Sequence, residues 1–285
     1  MANLLKGKEV ANAINERNKK LVEELKAKGV TPTLAVFRLG EKQGDLSYEK
    51  GIDKRSAEVG INVVKYVFDE DVSEEEFYNK LDEANNNNDI HGILVFRPLP
   101  KRFDDKKLRN YINSQKDVDG CGDMSLAGVF TNTEVGFAPC TAQAAMEVLD
   151  YYGIDVKGKN VVVIGRSLVI GKPVSMLLLN ANATITICHT KTKDIEAIAS
   201  KAEILILATG KSEMITKDYV NPNQVIIDIG VSFNEEKQKL TGDANFDEVE
   251  PIVDSITPVP GGVGSVTTSV LIDHVVKACV RAYEK

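Results

Sequence analysis

Four apolar runs in the second half of the chain, NVVVIG (160–165), ATITIC (183–188), EILILAT (203–209) and VIIDIG (225–230), set the strongest limit on its fold. Runs this short and continuous suit strands buried on both faces of a parallel sheet, and the stretches between them are long enough for helical crossovers. The first half repeats the rhythm. TLAVFRLG, INVVKYVF and HGILVFRPLP read as strands, the segment around Tyr48 as a helix stopping at Gly60, and SEEEFYNKLDEANNN as a serine-capped helix ending in a loop at Asn85 to Asn88. Strands alternating with helices imply parallel pairing through right-handed crossovers.

Two helices frame the series. Over residues 7–28, Val10, Ile14, Leu21 and Leu25 share one face and Gly29 closes the segment. Over 266–283, Leu271, His274, Val275, Ala278 and Ala282 recur on an apolar helix that can return to the first domain. An irregular stretch over 115–138 precedes Pro139 and a helix near 141–152. The expected fold class is α/β, with a nucleotide-binding architecture in outline in the second half.

Composition narrows the function. The 285 residues, 43% hydrophobic and 27% charged, are those of a globular protein, and a net charge of -7 argues against a general nucleic-acid binder. Cys121, Cys140, Cys188 and Cys279 are far apart with no CxxC, so neither a metal site nor a disulfide framework is indicated. MANLLKGKEV lacks a signal-peptide core, and no apolar run approaches the roughly 20 residues that span a bilayer. A cytoplasmic protein with no membrane partner is expected.

VVVIGRSLVIGKP (161–173) runs from a strand through Gly165 to Gly171 at the start of a helix, where free N–H groups and the helix dipole favour a pyrophosphate. The spacing is not GxGxxG, so an ordinary strand-to-helix turn stands as the alternative. One strand later, ICHTKTKD (187–194) puts Thr190 and Lys191 where such folds often carry an acid for the ribose, which with Arg166 favours NADP over NAD; a solvated loop is the competing reading. ITPVPGGVGSVTTS (256–269) has the prolines and glycines of a loop closing over a flat ligand. KDVDG (116–120) offers Asp117 and Asp119, solvated or capping by default. His91, His189 and His274 are scattered, His274 reading as a core or interface residue, and no Walker A lysine motif is present.

Together, the Tyr48 helix, GILVFRPLP, KDVDG, PCTAQA, VVVIGRSLVIGKP, ATITICHTKT, VIIDIG, GDANF and ITPVPGGVGSVT resemble, in order, the bifunctional methylenetetrahydrofolate dehydrogenase/cyclohydrolase family. The resemblance implies an N-terminal α/β folate-binding catalytic domain over 1–140 completed by 268–285, a Rossmann-type NAD(P)-binding domain over 141–267, a folate cleft at the domain interface, a homodimer, and a small-molecule folate substrate. It assigns Tyr48 to stack on the folate, Asp119 to bind its pterin end, and Pro260, Gly261 and Gly262 to line the cleft. Gly165, Arg166, Ser167, Thr190 and Val231 are to meet the dinucleotide.

Two positions depart from the family pattern. Its helix usually reads YxxxK, the lysine handling protons in the cyclohydrolase, and here that place is Ile52; its strand usually reads GILVQLPLP, and here Phe96 replaces the glutamine and Arg97 follows. Hydride transfer needs positioning rather than a proton acceptor, whereas hydrolysis of the methenyl product needs an acid/base. The expectation is a dehydrogenase with weak or absent cyclohydrolase activity. Arg97 should face away from Phe96 by strand alternation, and Lys54 serves only if the helix is rotated. The alternatives are the full bifunctional enzyme and a non-catalytic folate- or nucleotide-binding paralogue.

Overall fold

A computed structural model describes residues 1–284. The chain opens with a two-residue strand β1 (Asn3–Leu4), then α1 (Gly7–Ala27), β2 (Thr33–Leu39), α2 (Gln43–Val59), β3 (Asn62–Phe68), α3 (Glu74–Asn86) and β4 (Gly92–Val95). Short helices α4 (Asp105–Tyr111) and α5 (Asp123–Thr131) lead to α6 (Cys140–Tyr151). There follow β5 (Asn160–Ile164), α7 (Gly171–Asn180), β6 (Thr184–Cys188), α8 (Ile195–Ala199), β7 (Ile204–Leu207) and β8 (Val225–Asp228). A hairpin of β9 (Ser232–Asn234) and β10 (Lys239–Thr241), then α9 (Phe246–Val249), β11 (Ser255–Ile256) and α10 (Thr267–Tyr283), complete the chain.

The fold is α/β with parallel main sheets, and its contacts form two compact units. One comprises Met1–Ala11 and Thr141–Thr267; the other comprises Asn12–Cys140 and residues from Thr268 on. The second unit holds a three-stranded sheet, ordered β3-β2-β4, whose central β2 is buried along its whole length. Phe37 of β2 stacks on Tyr66 at 4.4 Å and meets Phe77 of α3 edge-on at 5.8 Å, so one aromatic cluster ties the sheet to the helix. The first unit holds a six-stranded parallel sheet, ordered β1-β11-β8-β7-β5-β6. Its core packs Val162, Leu205, Leu207, Ile226 and Ile256 against α8 and α9 residues.

Local chemistry explains several boundaries. Ser73 Oγ accepts the N–H of Glu76 at 3.1 Å and starts α3, while Gly60 ends α2 at φ +91°, a left-handed conformation that glycine adopts without penalty.

Other expectations need correction. The buried stripe of α1 runs Val10, Ile14, Asn18, Val22 and Leu25, whereas Leu21 is 36% exposed: the 3.6-residue period carries the stripe through an asparagine that a reading by apolarity passes over. Helix α3 continues through Asn86, because the Asn85 side chain bonds the Tyr111 carbonyl and the Asn113 N–H at 2.9 Å each. The stretch over 115–138 contains α5. Strand β6 is not buried on both faces, since it forms a sheet edge and leaves Thr184, Thr186 and Ile187 exposed.

Candidate active site

In the second unit, charge fixes the rotation of α2. Arg38 of β2, only 6% exposed, donates through Nε to Glu49 at 2.8 Å, and Lys65 of β3 bonds Glu49 at 2.9 Å and Asp53 at 2.7 Å. Burial works to raise the Glu49 carboxyl, but Lys65 and Arg38 outweigh it and hold the group below the usual carboxylate range. With Glu49 and Asp53 so tied, Ile52 is fully buried, while Lys50 and Lys54 are exposed.

Tyr48 lies against Phe96, ring centroids 5.5 Å apart at 36°. Protein packed round its hydroxyl pushes the phenol far above its ordinary value, the Cys140 thiol and the Asp119 carboxylate add to this, and a hydrogen bond with Thr268 opposes it. The ring keeps an open side, 37% of the residue being exposed, so an aromatic surface is offered beside a neutral hydroxyl.

Asp119 is placed by its own loop. The buried Asp117 carboxylate accepts the N–H groups of Cys121 at 3.2 Å and Gly122 at 2.8 Å and the Ser125 hydroxyl at 2.6 Å; it therefore pins the turn that leads into α5. Cys140 N–H holds the Asp119 carbonyl at 3.3 Å. The Asp119 side chain, 31% exposed, meets Arg97 Nη2 at 3.3 Å and Cys121 Sγ at 3.0 Å. Beyond β4, which ends at Val95, Phe96 packs on Tyr48 and Arg97 reaches Asp119. His274 is buried on α10, where its Nδ1–H donates to the Val118 carbonyl at 2.8 Å and Phe137 stacks on the ring at 4.9 Å; burial pushes its pKa down. It braces the strand-side backbone of the KDVDG loop as a core residue.

In the first unit, the chain passes from β5 to β6 on one side and then to β7 on the other, which creates a switch point at the carboxyl ends of β5 and β7. A pocket of about 270 Å³ opens there, lined by Gly165, Arg166, Ser167, His189, Thr190 and Lys211 among others. A Cβ on Gly165 would stand 2.2 Å from the Ala208 carbonyl oxygen, and one on Gly171 would stand 2.2 Å from the Gly165 oxygen. The six-residue spacing therefore serves the same end as a tighter glycine motif, because the loop folds back until its first glycine touches the start of α7. Ser167 Oγ steadies the turn by accepting the N–H of Ile170 at 3.1 Å. No aspartate or glutamate lines this pocket, whereas Arg166 and Lys211 do.

Val231 lies outside that lining, 53% exposed after β8. Pro260 and Gly261 are exposed and Gly262 is buried. Gly7 N–H donates to the Gly261 carbonyl at 2.8 Å, and a Cβ on Gly7 would stand 2.1 Å from the Gly262 oxygen, so the loop rests on the first turn of α1.

The sequence reading passed over two buried carboxylates. Asp243 accepts the N–H groups of Thr209, Gly210 and Lys211 at 2.5, 3.3 and 3.0 Å, tying the loop after β7 that walls the pocket. Asp228, at the end of β8, accepts from Gly230, Asp243 and Ala244 at 3.0, 3.1 and 2.8 Å. Burial pushes the Asp228 carboxyl up to about 7, Asp243 adding to it against the pull of the three donors. The only trace in the sequence was a glycine beside each acid, Gly230 and Gly242, where a Cβ would collide with Asp243 and Asp228 respectively.

Comparison with known proteins decides the family. Residues 5–119 match the catalytic-domain model of tetrahydrofolate dehydrogenase/cyclohydrolase, and residues 139–283 match its NAD(P)-binding domain model. The chain belongs to the tetrahydrofolate dehydrogenase/cyclohydrolase family. It is 48% identical over 280 residues to bifunctional protein FolD of Carboxydothermus hydrogenoformans, covering 98% of each chain. The crystal structure of the bifunctional FolD of Campylobacter jejuni superposes with a TM-score of 0.94 at 35% identity, covering 99% of each chain. The Trypanosoma brucei FolD, complexed with NADP and an inhibitor, gives 0.91 at 29%, covering 100% of this chain and 99% of that one. The N-terminal part is thus the tetrahydrofolate dehydrogenase/cyclohydrolase catalytic domain, the later part is the NAD(P)-binding domain, and the protein is an enzyme of this family. No helix among the described residues is long and apolar enough to cross a membrane.

Proposed function

We propose that this enzyme oxidises 5,10-methylenetetrahydrofolate to 5,10-methenyltetrahydrofolate with NADP as the preferred acceptor and NAD as a poorer one, and that it hydrolyses the methenyl product weakly or not at all. The residues lining the pocket of the first unit would hold the dinucleotide, which would supply the hydride acceptor, and the lone pairs of the folate nitrogens stabilise the cation that hydride loss leaves. The protein's part is orientation. Tyr48 offers a ring face to the folate and Asp119 an anionic acceptor to its pterin N–H groups. Pro260, Gly261 and Gly262 present a loop with little side chain, and Gly165, Ser167, Thr190 and Val231 present backbone and hydroxyl groups to the dinucleotide. Arg166 and Lys211, in a pocket lined by no acid, favour a 2′-phosphate. A homodimer in the cytoplasm completes the reading.

The observation that carries it is Ile52, wholly buried one helical turn from Tyr48, with Phe96 packed against that tyrosine. Neither side chain moves a proton, and the ion pairs at Glu49 and Asp53 hold α2 in the rotation that keeps Lys54 exposed. A paired absorbance assay tests this. Methenyltetrahydrofolate should accumulate from methylenetetrahydrofolate with NADP, and, supplied alone, should decay no faster than in buffer. The second reading, a full bifunctional enzyme, rests on the bifunctional FolD relatives. It wins if the methenyl compound is consumed and Lys54→Ala abolishes that consumption while sparing oxidation.

A further inference from the structure

The Asp119 carboxylate is held chiefly through one oxygen. Arg97 Nη2 and Cys121 Sγ both reach Oδ2, at 3.3 and 3.0 Å, and the buried Cys140 thiol also bears on the carboxylate, so the charged and the short contacts gather on Oδ2. The backbone beneath is already fixed by Asp117 and by Cys140 N–H, so rotation of the Asp119 side chain is the freedom that remains. Two donors on one oxygen remove it. Arg97 is itself steadied by Asp105 of α4 at 3.5 Å, and its guanidinium stays charged. The Cys121 thiol, pushed far up by burial and by Asp119, keeps its hydrogen and serves as a donor rather than a nucleophile.

Resting on the folate reading above, we propose that Arg97 and Cys121 are positioning residues: they pin Oδ2 of Asp119 so that Oδ1 is presented to the adjacent N–H donors of the substrate's aminopyrimidine ring. A carboxylate free to rotate would spend part of its time with neither oxygen aligned, and substrate binding would carry the cost of ordering it. Pinning it in the free enzyme removes that cost. The pterin end of the substrate, rather than the reacting carbon, is what the pair serves, so its signature is affinity for folate.

The test uses the whole enzyme and steady-state kinetics with methylenetetrahydrofolate and NADP. Arg97→Met and Cys121→Ala should each raise KM for the folate roughly 5- to 20-fold, as expected for losing a hydrogen bond to a charged group, with a much smaller change in KM for NADP. Cys121→Ser, which restores a donor, should recover most of the loss. A merely structural effect would move both KM values and would not be rescued by serine. Unchanged folate KM in Arg97→Met and Cys121→Ala, with a raised KM in Asp119→Asn, overturns the inference and leaves the folate reading intact. An unchanged folate KM in Asp119→Asn, or a wild-type enzyme that reduces no dinucleotide, overturns the folate reading and the inference with it. If Arg97→Met does not fold, the two Cys121 variants decide the matter alone.

Discussion

Ile52 shows how one residue sets the chemistry a helix face can offer. It is buried without remainder, so a lysine there would be closed off from bulk solvent. Ile52→Lys should lower unfolding stability by roughly 3 kcal/mol, the cost of an unpaired buried cation or of its neutralisation, as measured by urea denaturation. Hydrolysis of methenyltetrahydrofolate should rise only in the double variant Ile52→Lys/Phe96→Gln, since glutamine supplies a polar neighbour where Phe96 now packs on Tyr48. The departure at these two positions was legible in the sequence because the surrounding motifs fixed the register. The role of Arg97 was not, because it depended on where β4 ends: β4 stops opposite Phe37 although β2 runs on to Leu39, and nothing in the sequence marks that stop.

At the scale of elements, the pocket wall in the first unit depends on two carboxylates acting in series, Asp228 holding the backbone of Asp243 and Asp243 holding the loop after β7. Because the folded Asp228 carboxyl is raised from 3.8 to about 7, its protonation stabilises the fold fully below about pH 4, and that contribution is lost as pH rises through about 7. The stability of wild type relative to Asp228→Asn should therefore fall by about 2–3 kcal/mol between pH 5 and pH 8, read from paired denaturation curves. The long elements were readable: β2, β5, β7 and β8 declare themselves by continuous aliphatic runs, and α3 by its serine cap. Helices α4 and α5, the β9–β10 hairpin and the two-residue strands β1 and β11 did not, since they are too short to show a period; α4 leans on the Asp104 cap, and β1 and β11 on partners far away in sequence.

For the molecule as a whole, connectivity matters more than any one contact. Residues Asn3 and Leu4 pair in register with Ser255 and Ile256, while the unit containing β2 to β4 also includes most of α10, the last helix. Each unit is therefore assembled from segments early and late in the chain. A protein usually folds domain by domain as it leaves the ribosome, the first-made domain first. Here that order is closed off: when β2 to β4 have emerged, the helix that completes their unit has not been translated, and β1 waits for a partner some 250 residues later. Nascent chains in which residue 255 has not left the exit tunnel should remain sensitive to protease in both units; the first unit should gain resistance once residue 267 has cleared the tunnel, and the second once α10 has. A length series of stalled chains treated with protease would detect early protection of either unit, which would contradict this. Birth order, on this prediction, is not folding order, and the newly made chain stays within reach of chaperones and proteases until α10 is in place.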